Sequence, residues 1–135
     1  MPDPIPVTVV VLALNLNEEV NLPHCLKSLS AFGQVVVVDS FSVDKTEEIA
    51  RSNGAEFYQH AFTGFGDQRN WVIDQVPTRN DLLLILDADE RVPLKLANEI
   101  NRLVREGSEY AAFKVRRRFY LWGRWLRYSS LYPTW

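Results

Sequence analysis

The stretch Leu82-Leu83-Leu84-Ile85-Leu86-Asp87-Ala88-Asp89-Glu90 decides how the rest of the chain is read. Five apolar residues run unbroken and stop at three carboxylates within four positions. A membrane span needs about 20 apolar residues, so this run is too short to cross a bilayer. It has the length of a strand in a parallel sheet, buried on both faces. Its polar end then lies at the carboxyl edge of that sheet, where open α/β folds bind ligands. On a continued strand Asp87 and Asp89 would point to one face. Converging carboxylates repel unless a positive group joins them. Mg²⁺ or Mn²⁺ carrying a phosphate-bearing ligand meets that need, because hard cations prefer oxygen ligands. A strand running out into a solvated acidic loop is the alternative, and the triplet alone does not choose.

Working outward, the chain alternates strand and helix signals. Val7–Leu14 is an apolar, β-branched run and predicts a buried first strand. Asn15-Leu16-Asn17 reads as a turn, with Asn17 as N-cap of a helix from about Glu18 to Ala31, ended by Gly33. Val35–Val38 predicts a second buried strand, closed by Asp39. A helix over Lys45–Ser52 stops at Asn53-Gly54, and Glu56–Gln59 reads as a short third strand near an edge. A loop over Ala61–Gly66 precedes a helix from about Asp67 to Gln75. Leu82–Leu86 is the fourth strand. A long amphipathic helix starts near Pro93 and runs to about Glu106, and Tyr110–Val115 reads as a fifth strand. Such alternation implies a mostly parallel sheet with right-handed crossovers.

With 135 residues the chain is one domain, able to bury about two thirds of its unfolded surface. Its net charge of −2 hides an asymmetry, since all seventeen acidic residues lie at or before Glu109. Beyond it come Lys114, Arg116, Arg117, Arg118, Arg124 and Arg127, interleaved with aromatic residues. This basic segment, 110–135, has three open readings. It could pack on the domain as a strand and edge helix with arginines reaching outward. It suits an anionic membrane surface or lipid-linked acceptor. The same mixture suits nucleic acid. Cys25 is alone, which excludes an internal disulfide and a cysteine-based metal site and fits a reducing compartment. The proline-rich start has no basic region or cleavage pattern of a secretion signal.

The candidate chemistry gathers where strands end. Asp39 can accept from a ribose hydroxyl or a pyrimidine N–H, which is favoured over capping, whereas Asp44 reads better as a helix cap. No GxGxxG follows the first strand and no GxxxxGK[ST] occurs, which removes the common dinucleotide fold and the P-loop ATPases. Phosphates must then be held by metal, turn backbone or a basic side chain. Arg69 is one candidate, with a solvated helix arginine as the equal alternative. His24 and His60 are poorly placed for catalysis.

Four segments in order resemble family 2 glycosyltransferases of the GT-A fold, especially the bacterial branch of lipopolysaccharide-core β-glucosyltransferases. They are Asn17-Glu18-Glu19, Val38-Asp39-Ser40-Phe41-Ser42-Val43-Asp44-Lys45-Thr46, Phe65-Gly66-Asp67-Gln68-Arg69-Asn70 and Leu86-Asp87-Ala88-Asp89-Glu90. The resemblance implies a three-layer, Rossmann-like nucleotide-diphospho-sugar transferase domain, with a donor-binding core over about 6–109. It implies an inverting transferase that moves a sugar from a UDP-sugar to a glycan or lipid-linked acceptor. Donor contacts are expected at Leu14, Asn15, Asn17, Glu18, Asp39, Ser42, Arg69, Asp87 and Ala88. Asp89, with Asp87, is expected to hold Mn²⁺ or Mg²⁺. Two departures stand out: Phe41 occupies a turn position where the family often has glycine, and no carboxylate after Glu109 can serve as general base. Relatives of this kind are roughly twice as long. The expectation is therefore a donor-binding half whose acceptor half and catalytic base lie beyond residue 135. A cytoplasmic location, peripheral to the inner face of the membrane, is expected, with no nucleic-acid partner and with self-association through exposed apolar surface. The rival readings are a non-catalytic nucleotide-sugar-binding or membrane-docking module and a sugar nucleotidyltransferase. The latter is disfavoured because Asn15–Glu19 carries neither glycine nor cation.

Overall fold

The computed structural model describes residues 2–14 and 18–128. Its centre is a four-stranded parallel sheet of β1 (Ile5–Ala13), β2 (Phe32–Asp39), β3 (Glu56–Gln59) and β4 (Leu83–Asp87), in the order β3-β2-β1-β4. β1 is central because it is the most apolar strand. Val9, Val10 and Val11 are fully buried, and each contributes about 1.5–3 kcal/mol by leaving water.

Strand alternation divides the core in two. Val7, Val9, Val11 and Val37 face α1 (Leu22–Ser28), α2 (Thr46–Ser52) and α4 (Leu94–Glu106). Val10, Leu12, Val36 and Val38 face α3 (Phe65–Gln75) through Trp71, Val72 and Val76. The result is the expected three layers, with a mostly parallel sheet between helices.

Four expectations need correction. The first helix is short and starts at Leu22, with Asn21 as N-cap and Pro23 in its opening turn. Proline suits that turn, where its missing N–H costs nothing, but it would clash with the carbonyl four residues back in a helix begun at Glu18. The turn and cap placed at Asn15–Asn17 lie outside the described residues. Gly33 does not end the helical unit but sits inside β2, where a Cβ would come within 3.1 Å of the Ile5 carbonyl oxygen. β4 is an edge strand, half-buried along its whole length, rather than covered on both faces. Tyr110–Val115 forms no strand, and most of it is exposed. The basic segment instead contains a small antiparallel hairpin, β5 (Tyr120–Leu121) and β6 (Arg124–Trp125).

A polar network ties the amino ends of the strands. Buried Gln34 accepts from the Thr8 hydroxyl at 2.7 Å and from the Arg79 amide at 2.8 Å, and donates to the Pro77 carbonyl at 2.9 Å. Arg79 pairs with Glu56 beside it. A surface concavity of about 630 Å³ opens here. Both polar atoms of Gln34 are engaged within the protein, so it offers a ligand no unsatisfied group.

Candidate donor and metal site

The opposite, carboxyl edge of the sheet is differently made. A cavity of about 240 Å³ is lined by Leu12, Leu14, Glu18, Phe62, Phe65, Asp87, Ala88 and Asp89. β4 stops at Asp87, and the chain turns there: the Glu90 amide donates to the Asp87 carbonyl at 2.9 Å, and the Asp87 amide donates to Glu90 Oε2 at 2.8 Å. The Ala88 amide donates to the Leu12 carbonyl at 3.0 Å, which docks the turn on β1. Asp87 and Asp89 therefore do not share the face of a continued strand, yet the turn brings both to the same cavity. Asp89 is exposed and Asp87 half-buried. Asp87 Oδ1 is buried with no hydrogen-bond partner. An unsatisfied buried acceptor costs stability and is retained where a ligand completes it.

These residues fit a divalent cation that arrives with phosphates. Among the described residues no group of three or more His, Cys, Asp or Glu side chains forms a metal cage. Asp87 and Asp89 supply two hard carboxylates, which is the usual protein share when substrate phosphates and water complete the shell of Mg²⁺.

Glu18 is buried on the other wall, where its Oε2 accepts from Asn21 Nδ2 at 3.0 Å. Phe62 and Phe65 form an exposed aromatic rim, their rings edge to face at 5.2 Å. Arg69, one turn into α3, does not line the cavity. Its guanidinium lies 6.0 Å from the Phe65 ring centre and donates to the Phe65 carbonyl at 3.3 Å. It borders the rim and is half-buried.

Asp39 is paired with Ala13, and by alternation its side chain lies on the α1–α2–α4 face, whereas Asp87, paired with Leu12, lies on the α3 face. A ligand touching both must cross the sheet edge over the end of β1. Asp39 is buried, and its oxygens accept from the Ser42 amide at 2.8 Å and the Ser42 hydroxyl at 2.6 Å. These bonds hold a tight turn in which Phe41 takes φ = 60°, a left-handed conformation disfavoured for a bulky side chain. The glycine expected by resemblance would meet no such penalty.

Asp44 was read as a helix cap, but the N-cap of α2 is Lys45, and Asp44 supports the helix start from one residue earlier, through Thr46. Its Oδ1 accepts from the Thr46 amide and hydroxyl, at 3.0 and 2.6 Å, and its Oδ2 from the Glu19 amide at 3.1 Å. Desolvation is the largest single influence and opposes ionisation, but these hydrogen bonds together outweigh it and hold the carboxyl below its ordinary 3.8. Through Glu19 they also brace the loop after β1 against the loop after β2.

Three features of this edge escaped the sequence reading. Phe62 and Phe65 were noted only as loop residues, whereas Phe65 opens α3 and both side chains are exposed at the rim. Gln68 is fully buried, accepts from His60 Nδ1 at 2.7 Å and leaves Nε2 without a partner, while His60 stacks on Trp71. Ser40 Oγ is likewise buried without a partner. Unsatisfied groups thus recur around this edge, consistent with a polar ligand there.

Comparison with known proteins bears on the family and the fold. The family model described as glycosyl transferase family 2 matches residues 8–134. The lipopolysaccharide core biosynthesis glycosyltransferase LpsC of Rhizobium meliloti is 30% identical over 113 residues, covering 80% of this chain and 41% of LpsC. The low-salt glycan biosynthesis hexosyltransferase Agl6 of Haloferax volcanii is 32% identical over 116 residues, covering 81% of this chain and 27% of Agl6. Among solved structures, TarS 1–349 of S. aureus superposes with a TM-score of 0.59 at 25% identity, over 74% of this chain and 32% of that one. The chain thus spans less than half the length of these relatives. Its parallel sheet, its helical layers and the match over nearly all its residues lead to one conclusion: the chain belongs to glycosyl transferase family 2 and has the GT-A fold.

Proposed function

We propose that these residues form the donor site of an inverting glycosyltransferase that uses a UDP-sugar and a divalent metal. The observation that carries the reading is the unpartnered Asp87 Oδ1 beside exposed Asp89, in a cavity at the carboxyl edge of the sheet. Asp89 and Asp87 hold Mn²⁺ or Mg²⁺, and Ala88 lets the diphosphate approach the turn. Asp39, held by Ser42, receives the nucleoside together with Leu14, Asn15, Asn17 and Glu18. Arg69, at the aromatic rim, faces the donor's negative charge. When bound, the metal supplies Lewis-acid assistance to the departing nucleoside diphosphate. The protein's part is to orient the donor across β1 and exclude water with Phe62 and Phe65.

The names of LpsC and Agl6 fit a glycan acceptor, and we infer that it is lipid-linked and reached by a cytoplasmic protein at the inner membrane face. Inversion needs a general base on the acceptor side, and no carboxylate follows Glu109 in these 135 residues. The 135-residue chain should therefore bind donor but turn it over slowly. A second reading, a non-catalytic nucleotide-sugar-binding module, is favoured by the same missing carboxylate. The test is a panel of UDP, GDP and ADP in competition with a labelled UDP-sugar, together with a turnover assay on the same protein. Selective displacement by UDP with little sugar release supports the reading. Displacement by all three alike contradicts it, and rapid transfer to a purified acceptor contradicts the expected slow turnover.

A further inference from the structure

The hairpin in the basic segment carries a strained residue at its tip whose own side chain is almost fully exposed. Its two-residue loop is Trp122-Gly123, at φ = 49° and φ = 74°. Two positive φ values are the signature of a hairpin turn that favours Asn or Gly at its first position. A tryptophan is strained there, and its side chain gains no burial in return, being 92% exposed. Leu121 and Tyr120 beside it are also exposed. The base of the hairpin is cationic. Arg118 and Arg127 lie over the Trp125 ring at 4.5 and 5.4 Å, and Arg124 stands on β6. No acidic residue follows Glu109 to offset them.

We propose that this hairpin docks the protein on an anionic lipid bilayer, with Trp122 and Leu121 entering the headgroup region and the arginines engaging lipid phosphates. Exposed tryptophan prefers that interface, and juxtaposed cations are drawn to it. The tip is a narrow apolar wedge, and two residues per strand give no broad face on which nucleic-acid bases could stack. Among the described residues no helix is long and apolar enough to cross a membrane, so docking through this element is peripheral.

The hairpin is tied to the donor site. Arg117, just before β5, pairs with Glu90 Oε1 at 3.2 Å, and the other oxygen of Glu90 accepts the Asp87 amide. A docked hairpin therefore sets the turn of Asp87 and Asp89 close to the bilayer. The inference deepens the proposed function, resting on its lipid-linked acceptor for biological meaning, but docking is measured without nucleotide.

The experiment is cosedimentation of the 135-residue chain with vesicles of phosphatidylcholine alone and with about a third phosphatidylglycerol. Trp122→Asn and Arg124→Glu are run beside wild type. Asparagine suits the turn, so the first variant keeps the hairpin while removing the wedge. Wild type should bind the anionic vesicles and lose them at high salt. Trp122→Asn should bind about tenfold more weakly. Arg124→Glu, a change of two charges, should lose about 25-fold at roughly fivefold per charge. UDP binding in both variants should be unchanged. Equal binding to neutral vesicles, indifference to both substitutions, a preference for a single-stranded oligonucleotide, or dimerisation through Trp122 without lipid binding would each overturn the proposal. Docking without UDP binding would leave it standing and remove only the donor-site reading.

Discussion

Replacing Asp87 by asparagine should make the free protein more stable and the ligand-bound protein less so. The wild-type carboxylate has a buried oxygen with no partner and shares its short turn with Asp89 and Glu90. An unsatisfied buried acceptor costs about 1–3 kcal/mol. Asn keeps the shape, removes the charge and adds an N–H that can donate to a neighbouring carboxylate. Taking the lower end of the range, a gain of about 1 kcal/mol corresponds to about 4 °C in melting temperature for a chain of this size. With Mn²⁺ and UDP at about a hundred times the dissociation constant, wild type should gain about 2.7 kcal/mol, close to 10 °C. The variant should gain almost nothing. Thermal melts followed by circular dichroism, with and without ligand, should therefore cross. A variant that melts lower than wild type without ligand, or that still responds to Mn²⁺ and UDP, would refute the reasoning and make Asp87 a structural residue.

Other sites give predictions of a different kind. Asp44→Ala removes two hydrogen bonds at the start of α2 and one from the Glu19 amide, and should cost about 1–2 kcal/mol in urea unfolding. Because the folded pKa of Asp44 is depressed, its contribution is complete above pH 3.8 and fades as pH falls through the folded value. The Ala variant should thus lose less stability than wild type over that acid interval. At Phe41, where φ is 60°, Asn should be neutral or stabilising, whereas β-branched Ile should cost more than about 1 kcal/mol, again by urea titration. Burial, reinforced by Glu90 and Asp89 nearby, pushes the Cys25 thiol up to about 12. It should resist a thiol-reactive dye at pH 8 in the folded protein and react fully in denaturant.

The parts of the fold readable in advance are those set by apolar periodicity. β1, β2 and β4 each contain a run of valine, isoleucine or leucine, and β3 is legible as the short stretch after the Asn53-Gly54 stop. Misplaced boundaries came from ranking one local signal above another. Asn17 looked like the better cap, but Pro23 fixes the helix start more firmly because its ring clash is larger than a cap's gain. Gly33 looked like a stop, yet it is needed where β2 passes close to Ile5, a contact between residues 28 apart that no local pattern shows. β4 reads as buried on both faces because composition does not reveal which strand is at the edge. In the candidate site, the carboxylates announced themselves by following apolar runs. Gln68, Ser40 and the two phenylalanines did not, because their interest lies in burial, exposure and missing partners, which belong to tertiary structure.

Calorimetric titration of UDP into the wild-type protein and Asp89→Ala, with Mn²⁺ and again with EDTA, tests the donor site most directly. The account predicts binding by wild type with Mn²⁺, abolished by EDTA and by the substitution. Binding that is indifferent to metal and to Asp89, or no binding to protein shown by circular dichroism to be folded, would contradict it.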